Sequence, residues 1–204
     1  MTTTTARMSY EDLLATPDDD YLYELVRGEI LRMPSPKGMH GAREARIVGA
    51  IARHLYEKAV TQGWDEGQGS DARDRLVGRL DSGEAGIRFA LPDDPDQIRG
   101  VDVAYLTPEQ VALHEQAGRD EYVPLVPALV VEVISQSEAA GYIQEKTRDY
   151  LAGGAQLIWL LFPKTRTAQV HRPGRPILSI EQSGSLDGEE VLPGLRIQLK
   201  GIFS

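Results

Sequence analysis

The sequence predicts an α/β (α+β) fold, a mixed β-sheet flanked by helices, and three observations carry that expectation. The run Pro127-Ala128-Leu129-Val130-Val131-Glu132-Val133-Ile134-Ser135 is largely aliphatic and β-branched, the composition of a buried central strand. A helix from about Tyr142 to Leu151, stopped by Gly153-Gly154, and a second buried run, Gln156 to Phe162, follow it, giving a strand, helix and strand crossover. Upstream, shorter strand-like runs separated by turn residues supply antiparallel partners.

Taken in order, Ser9-Tyr10-Glu11-Asp12 has the pattern of an N-cap with acidic residues in the first turn, and a short helix through Ala15 ends before Pro17. Tyr21 to Val26 and Glu29 to Met33 flank Arg27-Gly28, which fits a hairpin with a two-residue turn closed off by Pro34 and Pro36. Between Arg43 and Gln62 the apolar positions Ile47, Val48, Ile51, Leu55 and Ala59 follow helical spacing. From Trp64 to Leu106 the pattern predicts antiparallel strands with loose turns, including Arg75-Leu76-Val77 and Gly86 to Ala90, with an acidic loop at Asp93-Asp94-Pro95-Asp96. Glu109 to Gln116 reads as a short surface helix, and Pro124 and Pro127 lead into the central strand. Thr167 to His171 pairs after the Pro163-Lys164-Thr165-Arg166 turn, while Ile177 to Ile180 and Leu192 to Ile197 supply edge strands. The expected organisation is a flexible tail over residues 1–8 and a single domain over 9–204, the size of one full core.

Composition narrows the function classes. At 41% hydrophobic and 26% charged residues, the chain has the make-up of a soluble globular protein, and no stretch approaches the roughly 20 apolar residues of a spanning helix. The N-terminal residues lack a secretory apolar run, so a cytoplasmic protein with no membrane partner is expected. The absence of cysteine removes disulfides, thiolate catalysis and cysteine zinc sites, leaving oxygen ligands and four histidines for any metal. A formal charge of -9 argues against tight, indiscriminate binding to nucleic acid, which draws its affinity from neutralised phosphates, so a nucleic-acid role requires a local basic patch. Arg43, Arg46 and Arg53 are either that patch or a solvated helix face.

Two carboxylates interrupt otherwise apolar strands: Glu132 in the central run, and Asp102 in Gly100-Val101-Asp102-Val103-Ala104-Tyr105-Leu106. A buried carboxylate shifts its pKa, finds a cation or joins a metal site, and two side by side need positive charge between them. A hard divalent cation is the simplest candidate. Alternation places Val130, Glu132 and Ile134 on one face, and Asp102 with Ala104 opposite Val101, Val103 and Tyr105. The helix after the central strand carries Tyr142, Lys146 and Tyr150 on one stripe, from which Lys146 reaches back over the strand end. Glu24 is either a further metal or water ligand or a salt-bridge partner of Arg27 or Arg32. His40, before the long helix, either touches phosphate or metal or serves in packing and capping; His54, His114 and His171 lack ligand spacing. Gly78, Gly83 and Gly86 make no phosphate-binding fingerprint.

Several motifs together resemble a known family. Tyr23-Glu24-Leu25-Val26-Arg27-Gly28-Glu29, His40, Val101 to Tyr105, Leu129 to Ser135, Glu145-Lys146-Thr147-Arg148-Asp149-Tyr150, Gly154-Ala155 and Ile158-Trp159-Leu160 are similar to the Uma-two family of restriction-endonuclease-like proteins, over about Tyr10 to Phe203. The resemblance implies the PD-(D/E)xK nuclease superfamily, a restriction-endonuclease-like mixed sheet and a divalent-metal site. Carried over by position, Asp102 and Glu132 are the metal carboxylates and Lys146 is a lysine that has migrated from strand to helix. The chain departs from the pattern with Gly100-Val101 where the family usually has Pro before the Asp, and with Ile134 where the superfamily motif places its Lys.

The function expected on these grounds is that of a metal-dependent endonuclease hydrolysing phosphodiester bonds in DNA. Its catalytic set is Asp102, Glu132, Lys146 and Glu24, with Mg²⁺ or Mn²⁺ held by Asp102, Glu132 and the backbone carbonyl of Val133, and substrate contacts from His40, Arg43 and Arg46. The alternative is a catalytically inactive nuclease-fold module that binds nucleic acid or regulates, and a third is a structural homodimer domain with an incidental acidic pocket.

Overall fold

The computed structural model describes residues 7–34, 38–118, 122–136 and 138–204. Of the expected tail, residues 1–6 lie outside the described residues. Met8 donates its N–H to the Gly28 carbonyl at 2.8 Å, and the Arg7 guanidinium lies 3.4 Å from Asp94, so the last two residues of that tail are fixed to the hairpins.

The N-terminal expectations match the elements found. Helix α1 (Tyr10–Leu14) starts on Ser9, whose hydroxyl and the Asp12 carboxylate cap each other's backbone N–H groups. Strands β1 (Tyr21–Val26) and β2 (Glu29–Pro34) pair antiparallel up to Val26 and Glu29, across a turn in which Arg27 (φ 50°) and Gly28 (φ 75°) are both left-handed, as a two-residue hairpin turn of this twist requires. Helix α2 (Met39–Thr61) begins earlier than its apolar spacing predicts and buries Ile47, Ile51, Leu55 and Ala59 along one stripe.

The segment after α2 departs from expectation. A 3₁₀ turn (Glu66–Gln68) capped by Asp65 leads into α3 (Gly69–Val77), so Arg75-Leu76-Val77 is the last turn of a helix and not a strand. The physical reason is the burial spacing: Asp74 and Val77, three apart, face inward while Leu76 is exposed. Gly78, at φ 89°, then turns the chain sharply; a Cβ there would lie 2.3 Å from the Leu106 carbonyl and 2.6 Å from the Tyr105 ring. Strands β3 (Arg79–Leu91) and β4 (Asp94–Leu106) follow as one long hairpin, and most of the expected acidic loop is the start of β4, with Asp94 buried and accepting the Arg27 N–H at 2.7 Å.

Helix α4 (Pro108–Ala117), capped by Thr107, precedes the fully buried β5 (Leu129–Val133). Helix α5 (Ala140–Ala152) crosses back to β6 (Leu157–Phe162), which runs parallel to β5, and β7 (Thr167–His171) and β8 (Leu178–Ile180) extend the sheet antiparallel. The expected C-terminal edge strand does not join this sheet. Strand β10 (Arg196–Gln198) pairs with β9 (Ser185–Asp187) in a separate two-stranded sheet, and α6 (Leu199–Phe203) ends the chain. Leu186, Ile197, Leu199, Ile202 and Phe203 all enter the core beneath α2, so this segment covers a face instead of lengthening an edge. Among the described residues, no helix is long and apolar enough to cross a membrane.

The main sheet runs β2-β1-β4-β5-β6-β7-β8, with β3 also on β4. One face packs Val103, Tyr105, Leu129 and Val131 against α2; the other packs Ala104, Val130, Ile158 and Leu160 against Tyr150 of α5. Val101 differs from expectation by packing with Ala104 and not with Val103. Beside it the ladder is irregular: pairing slips by one residue between Ser82–Val103 and Ala85–Val101, a β-bulge in β3 around Gly83 at φ 79°, opposite Asp102.

Strand β4 has three partners and two edges. β3 takes one edge throughout, while the other pairs with β1 at Ile98 and with β5 at Val103 to Tyr105. Between those points, from Arg99 to Asp102, the second edge has no strand pairing and the sheet splits.

Substituting Gly78 tests the hairpin's anchoring. Gly78→Ala combines a left-handed residue with a backbone clash, and we expect a loss of about 2 kcal/mol or more in urea unfolding, with the far-ultraviolet spectrum of the folded protein unchanged.

Candidate active site in the split of the sheet

The unpaired edge of β4 must still satisfy its backbone groups, and side chains do so. The Gly100 N–H donates to Glu24 Oε1 at 3.1 Å, and the Gly100 carbonyl accepts from the Tyr150 hydroxyl at 3.2 Å. On β5 the Val133 N–H donates to Asp102 Oδ2 at 2.6 Å. Three acidic or phenolic groups thus stand where a strand ladder would continue.

These groups converge on Lys146. Its Nζ lies 3.1 Å from Glu132 Oε1 and 3.5 Å from Glu24 Oε1, so the helical stripe predicted from sequence does carry the ammonium back over the strand end. Tyr150, one turn further along α5, donates to the same Glu132 oxygen at 2.8 Å, and Tyr142, one turn earlier, donates to Glu24 Oε2 at 2.7 Å. Burial disfavours a charged lysine, but the neighbouring Glu132 and Glu24 carboxylates outweigh it and hold the Lys146 pKa well above its ordinary value. Lys146 therefore holds its positive charge inside the cluster.

Asp102 sits at the other end of the cluster, with Oδ1 3.0 Å from His40 Nε2 at the start of α2. Burial would raise its pKa; the hydrogen bond and charge of His40, the Val133 N–H and Lys146 together bring it below the usual carboxylate range. Glu44, one turn along α2 from His40, accepts the Gly83 N–H at 2.6 Å and so fastens the bulge opposite Asp102. Its own pKa is raised, by burial first and by the Asp102 charge.

Glu24, with 1% of its surface exposed, pairs with neither Arg27 nor Arg32. Its partner is Arg99, wholly buried on β4, whose guanidinium reaches Glu24 Oε2 at 3.1 Å and Asp149 Oδ2 at 2.7 Å. Arg32 pairs with Asp19 instead, and Arg27 bridges Asp93, Glu145 and Asp149. Arg99 was not among the expected site residues, and Asp149 was quoted only within the family motif. The signal was present in Ile98-Arg99-Gly100-Val101-Asp102, where an arginine interrupts an apolar strand as conspicuously as the aspartate does.

Of the expected substrate contacts, His40 lies in the cluster. Arg46 donates to the Ile202 carbonyl at 3.0 Å and Arg43 to the Met39 carbonyl at 3.1 Å, while Arg53 is exposed further along α2. The structure thus engages two of the three arginines with backbone of this chain.

A mixed sheet of this order, split beside a lysine and its carboxylates and flanked by helices, defines a restriction-endonuclease-like fold. A family model, Uma2, described as "Putative restriction endonuclease", matches residues 10–200, and the chain belongs to that family. Membership makes the function nuclease-like and nucleic acid the class of substrate. Among solved structures, the chain is similar to a putative nuclease belonging to DUF820 from Anabaena variabilis ATCC 29413, with a TM-score of 0.74 and 19% identity over 96% of this chain and 97% of that one. At that identity the likeness speaks for the fold. No curated protein matches the chain.

The Asp149 network sets an acid limit on the fold. Burial would raise the Asp149 pKa, but hydrogen bonds from Arg27, Gln97 and Arg99 bring it from 3.8 down to about 2. A carboxyl depressed in the folded state stabilises the fold above its unfolded pKa and loses that contribution as pH falls through the folded value. Between about pH 5 and about pH 2 we expect a loss on the order of 2 kcal/mol from this group. Urea melts of Asp149→Asn should show the lower stability already at the upper pH and a flatter acid dependence than the parent.

Proposed function

We propose that the protein is a metal-dependent nuclease that hydrolyses phosphodiester bonds in DNA, with Asp102, Glu132 and Lys146 as its centre. The observation that carries this reading is the placement of the Lys146 ammonium against Glu132 while Asp102 crosses from β4 to the end of β5, all in the split of the sheet.

The donor set suits Mg²⁺ or Mn²⁺. Mg²⁺ keeps several waters and needs only one or two carboxylates, and among the described residues no three His, Asp or Glu side chains form a cation-holding cluster. Asp102, Glu132 and the Val133 carbonyl would hold it; the bonded Val133 N–H orients the Asp102 carboxylate toward the end of β5. When bound, such an ion would supply Lewis-acid polarisation of a phosphate oxygen and an acidified water.

The chain's own residues do the rest. Lys146 presents positive charge where charge builds on the phosphate in the transition state. Glu24, satisfied by Arg99, Gly100, Tyr142 and Lys146, fixes the ammonium in place and is too enclosed to bind the ion. His40, 3.0 Å from Asp102, would meet the substrate beside that carboxylate.

One observation favours the second reading, a nuclease-fold module that binds nucleic acid without cutting it. Glu24, Asp102 and Glu132 already meet Arg99, His40 and Lys146, so each acid of the cluster has a nitrogen partner without an ion.

Single-turnover cleavage and Mn²⁺ calorimetry separate the two. Lys146→Gln should retain Mn²⁺ binding and lose about 10² to 10⁴ in cleavage rate, the range of a positioned electrostatic group. Asp102→Asn should abolish the Mn²⁺ heat. A parent that binds nucleic acid and cleaves none of it in saturating Mn²⁺ establishes the binding module in place of the nuclease.

A further inference from the structure

A chain of charge -9 that acts on nucleic acid needs a local set of free cations, and those near the cluster are mostly engaged. Arg27 and Arg99 pair with carboxylates, while Arg43 and Arg46 donate to backbone carbonyls. Arg53 and Lys58 lie about 20 and 27 Å along α2 from His40. Lys164 and Arg166, in the four-residue turn that Phe162 and Thr167 close between β6 and β7, are different. Both are exposed, and among the described residues neither pairs with a carboxylate.

The fold brings this turn to the candidate site. β5 and β6 run parallel with Val133 beside Leu161, and the Ile134 N–H donates to the Leu161 carbonyl at 2.8 Å. The turn starts at Pro163, just past Phe162, so it leaves the sheet at the same end as the Val133 amide that holds Asp102. One strand spacing across and two residues along separate the Val133 backbone from the start of the turn by about 8 Å. With one phosphate per roughly 3.4 Å of axis on each strand, a nucleic acid whose reacting phosphate met Asp102 would bring phosphates about two to four nucleotides away to Lys164 and Arg166.

Backbone conformation is a second, independent observation. Arg166 is left-handed (φ 58°), a conformation that glycine or asparagine adopts at less cost. Two other non-glycine residues among those described share it, and ion pairs within the chain account for both: Arg27 with Asp93, Glu145 and Asp149, and Glu189 with Arg172 and Arg175. Arg166 has no such pair, so the use of a guanidinium at this strained position lies outside the chain. The turn is also held in shape, because the Thr165 hydroxyl donates to the Phe162 carbonyl at 3.4 Å and lies 2.7 Å from the Thr167 hydroxyl. We infer that Lys164 and Arg166 form a phosphate grip, through which this acidic protein holds the backbone of its DNA a few nucleotides from the cluster. The inference rests on the nuclease reading and adds where the substrate is held.

Fluorescence anisotropy with a labelled DNA duplex of mixed sequence, in EDTA so that cleavage plays no part, tests it across about 50 to 200 mM KCl. Each phosphate contact removed should lower the slope of log affinity against log salt by about 0.9. The double variant Lys164→Gln with Arg166→Gly should therefore bind more weakly than the parent at low salt and lose about tenfold less affinity over that range. Glycine suits the left-handed position, so Arg166→Gly alone should weaken binding while its urea midpoint equals or exceeds the parent's. Lys164→Glu, on an exposed turn, should weaken binding more than Lys164→Gln and guards against a folding effect of the glycine. A double variant that matches the parent in affinity and slope, or binds more weakly with the slope unchanged, overturns the grip; duplex cleavage by the parent in Mn²⁺ then leaves the nuclease reading standing. A parent with no affinity for the duplex at low salt, with or without Mn²⁺, removes both.

Discussion

A carboxyl group with 1% of its surface exposed persists in a core only when its oxygens are met by donors strong enough to replace water, and at Glu24 those donors come from two other parts of the fold. Arg99 and the Gly100 N–H belong to β4; Tyr142 and Lys146 belong to α5. Glu24 itself belongs to β1. Burying this one group therefore joins the first hairpin, the central strand and the crossover helix. Asp149 repeats the arrangement a turn past Lys146, where Arg27 from the hairpin turn and Arg99 from β4 meet on one carboxylate. Removing a single partner from such a network leaves an uncompensated buried charge, which costs far more than the net worth of the pair.

The split in the sheet follows from the same constraint. β1 and β5 approach one edge of β4 from different ends and leave Arg99 to Asp102 between them without a strand partner. That gap would be a defect if its polar backbone were dry and unmet. Glu24, Asp102 and Tyr150 meet it, so the residues that keep the sheet intact are the ones that gather around Lys146. Under the proposed function the same atoms would carry both structural and chemical roles, and substitutions in the cluster need a folding measurement alongside any activity measurement.

What was legible in the sequence was local periodicity and the residues that break it. The stripe Ile47, Ile51, Leu55 and Ala59 predicts α2, Arg27-Gly28 predicts the first turn, and Glu132 stands out because nothing else in its strand is polar. The stripe of Tyr142, Lys146 and Tyr150 also survives as a single face turned to the carboxylates. What was hidden depends on long-range pairing. Glu24 meets Arg99 across 75 positions, and nothing in its own hairpin prefers that partner to Arg27 or Arg32. Val101 packs with Ala104 where β4 loses its partner on one edge and its ladder with β3 is irregular, which alternation along β4 alone cannot register. Arg75-Leu76-Val77 is too short for periodicity to separate a strand from a helix end, and the burial of Asp74 decides it.

The Gly100 amide carries a further consequence. In most sheets a mid-strand N–H is shielded from solvent by the carbonyl of the next strand; here its acceptor is the side chain of Glu24. Its exchange with deuterium and its amide proton chemical shift therefore depend on where that carboxylate sits, and with it on the seating of the lysine 3.5 Å away. One backbone amide in the middle of β4 thus serves as a built-in spectroscopic probe of the cluster, readable in the resting protein without substrate or ion.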